Sequence, residues 1–169
     1  MTTMAGSVGG EAADAQRKDR TAQGGGPGTA QTTQVYSVFI LATPDQIWEA
    51  ITNPEFTERY FHGVRIELRE GRRFSSMGDL EWDEEVLEAD PPRRLVHRWI
   101  SAYDSDMAAE EPSRVTWEID PQDDGTTLLT VVHDQLEGAP KTAEAVAGTG
   151  WMFVLSGLKT LVETGKPIA

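Results

Sequence analysis

The side chains in this sequence with the widest chemical range are His97, His133 and Glu84. An imidazole titrates near neutrality, so two of them aimed into one space could hydrogen-bond a ligand carbonyl or phenol, or serve as acid and base. The plainer reading is a half-buried ring satisfied by a backbone carbonyl or water. That reading is preferred for His97, and both stand for His133. Glu84 is costly on a buried face unless it is paired, so it is either a site residue or a sign that its strand faces the other way. The three together could ligate a metal, but their spacing carries no metal signature, and neither a metal nor a cofactor is expected. The chain has no cysteine, which removes thiolate nucleophiles, disulfides and thiolate metal sites.

A second set is aromatic. Trp82, Trp99, Trp117 and Trp151 offer large flat surfaces to an apolar or aromatic ligand, and Tyr60 and Phe61 fall where the mouth of a pocket could be. Any one inward tryptophan is more often plain core, because interiors are filled to crystal-like density. Other motifs fail on inspection. The GGGPG run at 24–28 has no strand before it and no helix after it, so it reads as linker and not as a phosphate loop. Thr164-Gly165-Lys166-Pro167 lacks the upstream glycine of such a loop, and no serine sits in a glycine-flanked elbow. Asp104, Asp106, Glu110 and Glu111 form an acidic loop of the kind that can hold calcium, though such runs are usually just solvated.

These residues need elements to position them. The chain of 169 residues suffices for one domain with a real core. Residues 1–34 are Gly, Ala, Thr and Gln with almost nothing large and apolar, and are expected to be a disordered tail; 166–169 form a short C-terminal tail. No run approaches the ~20 apolar residues of a membrane span, and the tail lacks the apolar stretch of a signal peptide. A cytoplasmic protein is expected. The net charge of -13 falls on the folded part, which should repel nucleic acid and anionic membranes.

Residues 35–41, VYSVFIL, read as a strand. Thr43-Pro44 with Gln46, and Asn53-Pro54, then start two short helices over about 44–51 and 54–60. From Val64 to Asp134 the chain is strand-like with frequent turns, which predicts a curved antiparallel meander. Alternation puts Leu95, His97 and Trp99 on one face, with Val115, Trp117 and Ile119, and Leu129, Val131 and His133. In the strand from 79, Leu80, Trp82, Glu84 and Val86 are chosen as inward. Over 148–165, Trp151, Leu155, Leu158 and Val162 recur at helical spacing and form a stripe that must cover a sheet. Trp151 is its expected ligand contact; Leu155 is kept beside it as a candidate, although Leu155, Leu158 and Val162 read more as core. Gly148 and Gly150 predict a kink or break before Trp151, with the segment 138–150 looser than the helix and bordering a cavity entrance.

Four stretches, ATPDQIWEAITNPEFTERYFHG at 42–63, DPPRRLVHRW at 90–99, SRVTWEIDP at 113–121 and GTGWMFVLSGLKTLVETG at 148–165, closely resemble the bacterial homologues of the activator of heat-shock protein 90 ATPase. That family lies within the START-like (SRPBCC, Bet v 1-like) superfamily, and the resemblance covers about 35–165. It implies an α+β helix-grip fold, in which a curved antiparallel sheet of about seven strands wraps a long C-terminal helix and leaves a cavity between them. The function it implies first is binding of a small hydrophobic ligand, polycyclic aromatics included, at Tyr60, Phe61, Trp82, Trp99, Trp117, His133, Trp151 and Leu155. Three others remain open. They are a polyketide aromatase/cyclase using His97, His133 or Glu84, a self-resistance protein that sequesters or is cleaved by a reactive natural product, and a chaperone ATPase co-regulator. Eukaryotic activators make much of their chaperone contact through a separate N-terminal domain, where this chain has only the polar tail.

Overall fold

In the computed structural model of the protein, residues 31–168 are described. The tail expected at 1–34 therefore lies outside the described residues except at its end, where Gln34 already opens the first strand and donates through its side-chain amide to Ala143 O at 2.9 Å.

Strand β1 (Gln34–Ile40) is followed by helices α1 (Pro44–Thr52) and α2 (Pro54–Tyr60). Both begin where their capping residues direct. Thr43 and Gln46 close a reciprocal capping box on α1, and Asn53 ends α1 with its backbone N–H while capping α2 with its side chain. Strands β2 (Arg65–Arg69), β3 (Arg72–Met77), β4 (Leu80–Asp90) and β5 (Arg94–Trp99) come next, then a single helical turn α3 (Ser105–Ala108). β6 (Ser113–Pro121), β7 (Thr127–Asp134), α4 (Pro140–Val146) and α5 (Thr149–Thr164) complete the chain.

The seven strands form one antiparallel sheet in the order β1-β7-β6-β5-β4-β3-β2, a meander whose first strand returns beside its last. Its inner face carries the buried apolar residues Leu95, Val115, Trp117, Ile119, Leu129 and Val131. The outer face carries ion pairs such as Arg94 with Glu88 and Glu118. A register shift between Val86 and Glu88 bends the long β4.

α5 crosses the inner face with Trp151, Val154, Leu155, Leu158 and Leu161 buried. The stripe is turned from the expected one: Leu161 takes the deep position and Val162 is half-buried. The helix lies toward the β1 side, where Lys159 Nζ donates to Phe39 O at 2.9 Å and Glu163 accepts from the Leu41 N–H at 2.8 Å. Those bonds occupy an exposed sheet edge, which would otherwise invite another strand. At Gly157 a Cβ would stand 3.2 Å from the Tyr60 Cβ, so glycine there lets α5 and α2 approach closely.

The segment 138–150 contains a helix where the sequence predicted a looser stretch. α4 and α5 meet at a bend of 46°, at Gly148, whose φ of 60° lies in the left-handed region. α4 has no side-chain cap of its own. Glu110 supplies one from across the chain, accepting from the Lys141 and Thr142 N–H groups at 2.8 and 2.9 Å.

Candidate functional site

Between the inner face of β3–β5 and the α4–α5 bend lies a cavity of about 320 Å³. It exists because α5 follows the β1 side of the sheet and leaves the concave β3–β4 side uncovered. The sheet contributes Arg73, Ser75 and Met77 from β3, Trp82 and Glu84 from β4, and Trp99 from β5. Val146, Gly150, Trp151 and Val154 form the helical side, and Phe61, His62, Val64 and Ile66 close one end. Tyr103, half exposed, stands at the rim.

Three aromatic faces meet here. The Trp99 and Trp151 rings are 5.6 Å apart, with Phe61 6.1 Å from Trp99 and edge-on to Trp151 at 6.2 Å. Of the sequence candidates, Phe61, Trp82, Glu84, Trp99 and Trp151 therefore line the cavity. Tyr60, Trp117, His133 and Leu155, expected at the ligand, are not among the residues that line it, nor is His97, a candidate acid or base. The strand residues His97, Trp117 and His133 are buried on the inner face as alternation requires, and Tyr60 and Leu155 are buried on α2 and α5.

Tyr60 illustrates the difference. Its ring is buried and its hydroxyl donates to Ala50 O at 2.7 Å, tying α2 to α1, and burial pushes its phenol pKa up. The histidines are equally committed. An indole N–H can only donate, so the 3.0 Å bond from Trp117 Nε1 makes His97 Nε2 an acceptor, leaving Nδ1–H to donate to Arg98 O at 2.7 Å. In His133 the roles reverse: Nδ1 accepts from Trp151 Nε1 at 3.1 Å, and Nε2–H donates to Ser113 Oγ at 2.7 Å. Both rings are neutral and fully bonded. Burial holds His97 well below the usual imidazole pKa, and the nearby Arg73 cation pushes the same way. Burial likewise lowers His133 to about 4, against a smaller opposing pull from Asp134.

Glu84 faces inward and is paired. Arg73, its cross-strand partner, donates from Nη1 to Oε2 at 2.6 Å, and the Ile100 N–H reaches Oε1 at 3.1 Å. The guanidinium also faces the Trp99 ring at 5.6 Å and the Phe61 ring at 6.0 Å. Arg73 and Ser75 escaped the sequence reading, although a signal for them was present. A two-residue turn at Gly78-Asp79 fixes the β3–β4 register and sets Arg73 opposite Glu84 and Ser75 opposite Trp82. Among the described residues no three His, Asp or Glu side chains converge as a metal site would need. The acidic loop is spent on structure: Asp104 caps α3, Asp106 pairs with Lys141, and Glu110 caps α4.

Comparisons with known proteins come to the same architecture. Protein MLL2253 from Mesorhizobium loti is 25% identical with a TM-score of 0.62, the match covering 77% of this chain and 96% of that one. DynU16, a protein in the dynemicin biosynthetic locus, is 26% identical with a TM-score of 0.63 over 81% of this chain, which spans 49% of DynU16. The Aha1 dimer from Colwellia psychrerythraea, at 15% identity and TM-score 0.62, shares the fold over 80% of this chain and 99% of its own. No curated protein matches the sequence. Residues 41–163 match the family described as Activator of Hsp90 ATPase homolog 1-like protein. That match takes in α1, α2, strands β2 to β7 and all but the last residue of α5, and the chain belongs to this family.

Proposed function

We propose that the protein binds a small hydrophobic, aromatic ligand in the cavity between β3–β5 and the α4–α5 bend. The observation that carries this reading is the wall itself, in which the rings of Phe61, Trp99 and Trp151 converge while Arg73 and Glu84 neutralise each other beside them. A space of this size and lining resembles small-molecule pockets, which are mostly apolar with a few placed polar groups. Titration with neutral polycyclic aromatics such as anthracene and phenanthrene should quench tryptophan emission saturably. A flat titration across the panel would contradict the reading.

Acid–base catalysis by the histidines finds no support in this geometry, since every ring nitrogen is bonded and neither ring borders the cavity. One observation favours a second reading, sequestration of a reactive natural product: the likeness to DynU16, whose gene lies in the dynemicin biosynthetic locus. Expression of this chain should then protect a sensitive host from a reactive aromatic natural product. Undiminished toxicity, with the chain intact, would reject it.

A further inference from the structure

Two buried polar atoms of the cavity wall have no hydrogen-bond partner: Ser75 Oγ and Trp82 Nε1. The two residues are cross-strand partners, so their side chains stand next to each other on the inner face of the sheet. Ser75 is 3% exposed, and a buried group left unpaired is unfavourable. The neighbouring polar groups avoid that condition. Trp99, Trp117 and Trp151 each donate to a partner, and both inner histidines use both nitrogens. Among the described residues these are the two buried side-chain polar atoms without a partner, and both residues line the cavity.

The chemistry of the pair defines what would complete it. An indole N–H can only donate and a serine hydroxyl can donate, so both are met by an acceptor. Two residues along β3, Arg73 is already matched by Glu84 at 2.6 Å, which leaves this end of the cavity without net charge. A carboxylate here would be a buried charge lacking a counter-charge, in a chain whose net charge is -13. A carbonyl oxygen meets both donors without that penalty. We infer that the cavity selects neutral aryl ketones, the carbonyl accepting from Ser75 and Trp82 while the ring system lies against Phe61, Trp99 and Trp151. This deepens the ligand-binding reading and rests on it.

The test uses the full chain and four probes: 9-fluorenone, fluorene, and 9-fluorenone-4-carboxamide against the corresponding carboxylate. Calorimetry supplies affinities, and indole N–H resonances report on Trp82. Fluorenone should bind about tenfold more tightly than fluorene, the net worth of one or two hydrogen bonds. It should move the Trp82 resonance downfield where fluorene does not. Ser75→Ala and Trp82→Phe should each shrink the fluorenone-to-fluorene ratio toward one, and the carboxamide should outbind the carboxylate. A ratio near one in the wild-type chain, a ratio retained in both variants, or a tighter carboxylate overturns the inference and leaves cavity binding intact. No saturable binding by any of the four probes overturns both.

Discussion

His133 and His97 carry a stability that depends on pH. Their folded pKa values lie below the value of an unfolded histidine, so in acid the unfolded chain takes up protons that the native rings refuse. The stabilisation is fully present above about pH 6.5 and declines as pH falls below it. For His133 the decline runs down to its folded pKa of about 4. A shift of that size corresponds to about 3 kcal/mol, so urea midpoints should fall between pH 7 and pH 5, and a flat profile would contradict the neutral, bonded rings. Arg73 and Glu84 allow a second check. Arg73→Met strands a buried carboxylate and should destabilise by roughly 3–5 kcal/mol. Adding Glu84→Gln removes the stranded charge while keeping an acceptor for the Ile100 N–H, so urea denaturation should show part of the loss restored. Alternation put His97, His133 and Glu84 on the inward face in the sequence, while Arg73 escaped it. It could not show which inward residues meet solid core and which meet a cavity, because that depends on where α5 crosses.

The elements were legible where their signals were local. Thr43-Pro44 and Asn53-Pro54 placed α1 and α2, and the frequent turns predicted the meander, two of them now seen at Gly71 and Gly78 with positive φ, since capping and turn geometry use residues adjacent in the chain. α4 was missed for the opposite reason. Its first turn is capped by Glu110, about thirty residues upstream, whose carboxylate also accepts from the Thr142 hydroxyl at 2.8 Å. Pro140 in its first turn is the one local start signal, and no capping side chain precedes it. Glu110→Ala should therefore loosen α4 by about 1 kcal/mol, the usual worth of a side-chain cap. Hydrogen exchange should quicken over residues 140–146 while the later turns of α5 keep their protection. Equal protection of α4 in the variant would show that packing alone holds it. Gly148 and Gly150 are better explained: the first adopts a left-handed conformation at the bend, and a Cβ on the second would meet Ala145 O at 2.8 Å.

At the scale of the molecule, a strongly bent sheet grips a helix that is offset toward one edge, and the offset leaves the cavity. No single helix among the described residues is long and apolar enough to cross a membrane, and the α4–α5 pair is bent at 46°. The four motifs that carried the family resemblance span the capped helices, the two strands β5 and β6, and α5, so the architecture could be read from the sequence in a way that the cavity wall could not. Arg73 and Ser75 look like ordinary strand residues until the sheet is curled around them. In the proposed complex, ligand occupies the space bounded by Phe61, Trp99 and Trp151. The five tryptophans of the chain report on it, because Trp48 sits on α1 outside the cavity wall while Trp82, Trp99 and Trp151 line it. In an indole N–H spectrum titrated with a neutral polycyclic aromatic, the signals of Trp82, Trp99 and Trp151 should move together and saturate while that of Trp48 stays in place; movement of Trp48 alone, or of none of the five, would contradict the account.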